Sequence, residues 1–124
     1  MTHTVVIADD DADIRQLVTI AVKKAGLTVA AVAADGAEAL EAIRTHHPDL
    51  AILDIAMPEM SGVDVCRAVR ADSSIGDVRL VLLSASVAEQ AIEVGINAGA
   101  DYFFMKPFSP RDLVAWLAVG KEAR

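Results

Sequence analysis

The chain has 124 residues, enough for one compact domain of residues 1–124 and not for a second. Hydrophobic residues make up 54% of it but aromatics only 4%, so a core can form without disulfides or structural metal and is built from Ala, Val, Leu and Ile. The formal net charge is −7 with Lys and Arg scattered, which excludes the basic face that direct nucleic-acid binding by this chain would need.

Along the chain, hydrophobic periodicity switches between strand-like runs and helical stripes. Thr4 to Ala8 is a short apolar run followed at once by Asp9, Asp10 and Asp11. Ile14, Leu17, Val18, Ala21 and Val22 then share one helix face, and Gly26 ends that helix. Leu27 to Ala33 reads as a second strand, and Asp35-Gly36 opens a helix with Ala39, Leu40 and Ile43 inward, closed off at Pro48. Leu50 to Leu53 is a third apolar run, ending in Asp54. Met57 to Gly62 is a loop, followed by a helix with Val63, Cys66 and Val69 inward. Arg79 to Leu83 makes the fourth strand and ends in Ser84. A helix from about Val87 to Asn97 stops at Gly99, Asp101 to Met105 is the fifth strand, and a last helix starts near Pro110 with Leu113, Val114 and Leu117 inward.

Strands alternating with helices imply right-handed βαβ units and a parallel sheet covered on both faces. Strands buried on both faces read as uniformly apolar, and all these runs do. The expected fold class is α/β, a doubly wound five-stranded parallel sheet. No charged-then-apolar leader and no apolar run of membrane-spanning length is present, so a cytoplasmic, reducing setting without membrane contact is expected. Cys66, the single cysteine, reads as a small buried hydrophobe rather than a reactive thiol.

In such sheets the functional crevice lies beyond the carboxyl ends of the strands. Four of the five strands deliver chemistry there: Asp9, Asp10 and Asp11 after the first, Asp54 after the third, Ser84 after the fourth and Lys106 after the fifth. Convergent carboxylates repel one another, and a hard divalent cation removes that cost. Mg²⁺ takes oxygen ligands, typically one or two carboxylates with waters and phosphate oxygens. With Lys106 as a fixed positive charge, the cluster can hold a phosphoryl group whose oxygens are neutralised by metal, ammonium and hydroxyl. Asp54 is then the natural nucleophile, because an aspartyl carboxylate can form an acyl phosphate.

These residues resemble the receiver domain of two-component response regulators, of the chemotaxis-receiver type, along essentially the whole chain. The matching motifs are Asp9-Asp10, Leu53-Asp54-Ile55-Ala56-Met57-Pro58 with Gly62, Ser84-Ala85, and Lys106-Pro107-Phe108, all in order at the right strand ends. The resemblance implies the flavodoxin-like strand order 2-1-3-4-5. It implies that Asp54 accepts a phosphoryl group from a histidine kinase, a histidine phosphotransfer protein or a small phosphodonor. Asp10 and Asp54 would ligate Mg²⁺ (or Mn²⁺) directly, Asp9 mainly through a bound water, and Ala56 through its backbone carbonyl. Lys106 would contact a phosphoryl oxygen, and its peptide bond to Pro107 would be cis. Ser84 would move toward the phosphoryl group while Phe103 rotates inward, an inactive–active switch controlling a downstream protein partner or tethered effector domain. The chain would be a signalling phosphoacceptor rather than an enzyme, catalysing only its own phosphorylation and dephosphorylation.

Two departures matter. The switch aromatic is often Tyr in that family, whereas Phe103 cannot hydrogen-bond and must couple through packing, with Tyr102 on the other face. Ala56 and Ser86, which flank the route for hydrolytic water, are both small, so nothing large is expected to shield the acyl phosphate.

Simpler roles suffice elsewhere. Asp11 and Asp13 read as helix-start acids. His3, His46 and His47 read as solvated residues, and Met57, Met60 and Met105 as packing residues. Trp116 lies about 100° from the last helix's apolar stripe; packing against a neighbouring element is preferred there over anchoring a partner. An aspartyl phosphohydrolase resembles a pattern with a second acid two residues after the nucleophile, where this chain has Ala56. A flavin binder would need a glycine- and hydroxyl-rich phosphate loop after the first strand, where three aspartates would repel the phosphate. A non-phosphorylated binding module would usually have lost a site residue, and none is missing. The chain stops just after the last helix, consistent with either a stand-alone receiver or a piece of a larger regulator or hybrid kinase. The last helix lacks the alternating arginines of one large DNA-binding subfamily, which points away from that origin.

Overall fold

The computed structural model describes residues 3–85 and 89–122. Five strands, β1 (Thr4–Ala8), β2 (Thr28–Ala33), β3 (Leu50–Asp54), β4 (Arg79–Ser84) and β5 (Tyr102–Met105), alternate with α1 (Ala12–Lys24), α2 (Gly36–His46), α3 (Gly62–Ala71), α4 (Glu89–Asn97) and α5 (Pro110–Glu122). All pairings are parallel, in the order β2-β1-β3-β4-β5. Among the described residues no helix is long and apolar enough to cross a membrane. The start at Val87 expected for the fourth helix lies outside the described residues.

Alternation along the strands divides the core in two. Val6, Ala8, Ala51, Leu53, Leu80 and Leu82 face Ala39, Leu40 and Ile43 of α2 and Val63, Cys66 and Val69 of α3. Val5, Ile7, Ile52, Val81 and Leu83 face Val18, Ala21 and Val22 of α1 and Leu113 and Leu117 of α5. Each Leu or Ile buried this fully contributes about 1.5–3 kcal/mol, so the three central strands anchor the sheet. Burial pushes the Cys66 thiol up to about 12, which leaves it protonated and inert.

Uniform burial holds only for β1, β3 and β4. The edge strands are half-covered: β2 exposes Thr28 and Val32, and β5 exposes Tyr102. An apolar run alone does not distinguish a central strand from an edge one. Trp116 packs as the simpler reading has it, its ring 4.8 Å from that of Tyr102 and 5.5 Å from Phe104, with the Arg79 guanidinium 5.4 Å above it.

Caps set the helix ends, and with them the loops around the carboxyl edge. Asp11 caps α1, Asp35 caps α2 and Ser61 caps α3, each side chain accepting from backbone N–H groups of the first turn. Gly26 (φ 83°) and Gly99 (φ 104°) follow their helices in the left-handed region that favours glycine. At the end of α2 that role falls to His47 (φ 45°), whose N–H donates to the Ile43 carbonyl; it is a cap and not merely a solvated histidine.

Candidate functional site

Among the described residues the buried charged or hydroxyl-bearing side chains are Asp9, Asp54 and Ser84. All three stand at or just past the carboxyl ends of the central strands, where parallel pairing brings successive strand ends level. Burying a carboxylate is costly unless it is paired and hydrogen-bonded, and the surrounding groups meet that demand for Asp9. Its Oδ1 accepts from the Asp11 N–H (2.9 Å) and its Oδ2 from Lys106 Nζ (2.9 Å). Its own N–H donates to the Ala33 carbonyl (3.2 Å), and its carbonyl accepts from Arg15 Nη1 (2.8 Å).

Lys106 ties the cluster together. Its Nζ is also 3.2 Å from Asp54 Oδ1, and its backbone N–H donates to the Ser84 carbonyl (2.7 Å). The Lys106–Pro107 peptide bond is cis. One carboxylate oxygen each from Asp9, Asp10 and Asp54 lies within 4.8 Å of the others, with Asp10 exposed and the other two buried. The Asp54 carboxyl is raised from 3.8 to about 6, chiefly by burial and then by the charge of Asp9, against the lowering pull of Lys106. Burial works against the Lys106 ammonium, but its hydrogen bonds to Asp9 and Asp54 hold it above the usual lysine range. Three carboxylates gathered this closely offer hard oxygen donors whose mutual repulsion a cation would relieve, a fitting host for a small divalent ion such as Mg²⁺ or Mn²⁺.

The loop after β3 is held by two glycines. A Cβ on Gly62 would overlap the Asp54 carbonyl, and one on Gly36 would overlap the Met60 carbonyl. Gly36 N–H donates to the Pro58 carbonyl (3.3 Å), so the start of α2 seats the loop that follows Asp54. Within that loop Glu59 has φ 69°, and Ala56 is exposed in the bend two residues past Asp54.

The fold therefore brings Asp9, Asp10, Asp54 and Lys106 into one cluster and links Ser84 to it through the Lys106 backbone. Phe103 is not part of that cluster. Its ring lies on the sheet face of α2 and α3, where Gly95 of α4 leaves it room and Leu82 borders the same space. Ser86 lies outside the described residues. Sequence reading missed Arg15 and the seating role of Gly36. Both left a signal: a cation in the first turns of a helix opposes the macrodipole, and a glycine at the first helical position forgoes propensity.

The model of the response regulator receiver domain family matches residues 5–118. The DNA-binding response regulator MtrA of Mycobacterium tuberculosis is 41% identical over 115 residues, covering 93% of this chain and 49% of that protein. The transcriptional regulatory protein CseB of Streptomyces coelicolor is 38% identical over 114 residues, covering 92% and 47%. The chain thus spans about half the length of the curated relatives it matches. Among solved structures, the receiver domain of the putative response regulator NarL of Mycobacterium tuberculosis superposes with a TM-score of 0.90 at 33% identity, covering 99% of this chain and 98% of that one. The chemotaxis protein CheY4 of Vibrio cholerae gives 0.86 at 32%, covering 94% and 97%. The chain belongs to the response regulator receiver domain family, whose members are phosphoacceptor modules of two-component signalling.

Proposed function

We propose that Asp54 is the phosphoacceptor and that Asp9, Asp10, Lys106, Ser84 and the Ala56 carbonyl form its working site. The observation that carries this reading is the Lys106 ammonium lying 2.9 Å from Asp9 and 3.2 Å from Asp54 beside a third carboxylate. Asp10, Asp54 and the Ala56 carbonyl would hold Mg²⁺, with Asp9 acting through a water. That division suits Asp9, both of whose carboxylate oxygens already accept hydrogen bonds. When bound, the ion supplies positive charge for the phosphoryl oxygens and relieves the crowding of carboxylates.

An Asp54 carboxylate oxygen attacks the phosphorus of a phosphohistidine or of a small acyl phosphate. The new P–O bond forms as the donor's P–N or P–O bond breaks, and the donor leaves with the electron pair. Lys106 meets the added negative charge with an ammonium already in place, so little reorganisation is needed. Donating to the phosphoryl oxygens draws Lys106 from Asp54, and the Ser84 hydroxyl moves in to donate to them as well. Phe103 then follows by packing. Water attack on phosphorus returns inorganic phosphate and free Asp54, and the small Ala56 leaves that approach open. Partners in this reading are a histidine kinase or histidine phosphotransfer protein upstream and an effector domain or protein downstream. The DNA binding named for MtrA belongs to that longer protein.

The test is intact mass after incubation with acetyl phosphate, with and without Mg²⁺, for wild type and Asp54→Ala. A single phosphoryl adduct that needs both Mg²⁺ and Asp54 is expected. No adduct on a folded wild type that binds Mg²⁺ would reassign the chain as a non-phosphorylated receiver-like module.

A further inference from the structure

We propose that Arg15 is a positioning residue of the acidic pocket, holding the Asp9–Asp10 peptide so that Asp10 is presented to a divalent cation beside Asp54; this rests on reading the pocket as a Mg²⁺ site. Three of the four polar anchors of Asp9 fix its side chain and its N–H: Asp11 and Lys106 on the carboxylate, Ala33 on the amide. The fourth, Arg15 Nη1 at 2.8 Å, binds the Asp9 carbonyl, which belongs to the peptide leading into Asp10. Asp10 is the exposed member of the carboxylate cluster, so the orientation of its backbone governs where its oxygens can reach.

Arg15 is itself braced. Its N–H donates to the Asp11 carbonyl (3.0 Å) and its carbonyl accepts from Thr19 Oγ1 (2.7 Å). From the first turns of α1, the helix that Asp11 caps, its side chain reaches back to the Asp9 carbonyl. By charge alone this is a poor place for a cation, close to the positive end of a helix and to a site for a second cation. Charge and positioning thus make opposite forecasts. If Arg15 acted only through its charge, removing it would tighten Mg²⁺ binding; as a positioning group, removing it loosens binding. Partners that orient metal ligands without touching the metal are worth about 10–100-fold in affinity, and a single bond to a backbone carbonyl belongs at the lower end.

The experiment is calorimetric titration of the phosphate-free chain with MgCl2 for wild type, Arg15→Ala and Arg15→Lys, with circular dichroism to confirm the fold. A second readout is amide hydrogen exchange at Asp10 and Asp11 in the absence of metal. Arg15→Ala is expected to raise the Mg²⁺ dissociation constant about tenfold and to speed exchange at Asp10 and Asp11. Arg15→Lys, which keeps one donor and the charge, is expected to recover most of both. If Arg15→Ala fails to fold, Arg15→Lys decides by the exchange of the Asp10 amide, which must stay close to that of wild type. Wild-type binding with unchanged or tighter binding in Arg15→Ala overturns the inference alone. No binding to the wild type overturns the pocket reading and the role of Arg15 with it.

Discussion

At the scale of single residues, Asp54 shows how a reactive group is held at a cost to the fold. Its carboxyl is raised from 3.8 to about 6 because it is buried and faces the charge of Asp9, and Lys106 offsets this only in part. Between those two pH values the folded state binds a proton that the unfolded chain has released, so unfolding free energy falls as pH rises through the window. The penalty is absent below about pH 4 and fully present above about pH 6. Asp54→Asn keeps the shape and removes the charge. In chelator at pH 7.5 it is expected to be more stable than wild type by on the order of 1–3 kcal/mol, with the gap shrinking as the pH falls toward 4.5. Urea denaturation at the two pH values measures it, and a gap that does not change with pH would assign the destabilisation to something other than this ionisation. In the proposed site, this stability cost in the metal-free state is what a bound cation would relieve.

At the scale of elements, the decisive contacts are between helix starts and the loops at the carboxyl edge of the sheet. Gly36, the first residue of α2, is the clearest case. On propensity alone Gly36→Ala would stabilise the helix by up to about 1 kcal/mol. The Met60 carbonyl occupies the place of the new methyl, however, and a backbone atom cannot turn aside as a side chain can. The sign therefore reverses, and a loss of roughly 1–3 kcal/mol is expected, read as a lower urea midpoint with an unchanged slope. A gain in stability would mean that α2 and the β3–α3 loop are not seated on each other as described. This contact also marks the limit of what the sequence could tell. The central strands were legible because a strand buried on both faces must be apolar throughout, and Asp9, Asp54, Ser84 and Lys106 because parallel strands send their carboxyl ends to one edge. The half-exposure of β2 and β5 was not, since an apolar run carries no mark of its place in a sheet. Nor were the Arg15 and Gly36 contacts, the first a side chain folding back onto a carbonyl of the loop before its helix and the second a meeting of backbones distant in sequence. The capping role of His47 escaped for a related reason: a left-handed residue is announced by glycine, and here a histidine supplies it.

At the scale of the whole molecule, the net charge of −7 and the acidic cluster act together, and two kinds of cation effect must be separated. Any salt screens the general repulsion of an acidic chain and stabilises it a little. A built site adds a term of its own, because an ion that binds the folded state and not the unfolded one stabilises by about 1.4 kcal/mol at ten times its dissociation constant and about 2.7 kcal/mol at a hundred times. In a domain of this size that corresponds to roughly 5–10 °C in Tm. MgCl2 is therefore expected to raise Tm by several degrees more than NaCl at equal ionic strength. Asp10→Ala changes the starting stability by removing one negative charge, so the informative quantity is the Mg²⁺-minus-Na⁺ difference within each variant. That difference should collapse in Asp10→Ala, because the exposed member of the carboxylate cluster is gone, while the NaCl response stays close to that of wild type. Equal Tm values for the two salts in the wild type would mean that the cluster gathers negative charge without forming a divalent site, and that the ammonium of Lys106 alone balances Asp9 and Asp54.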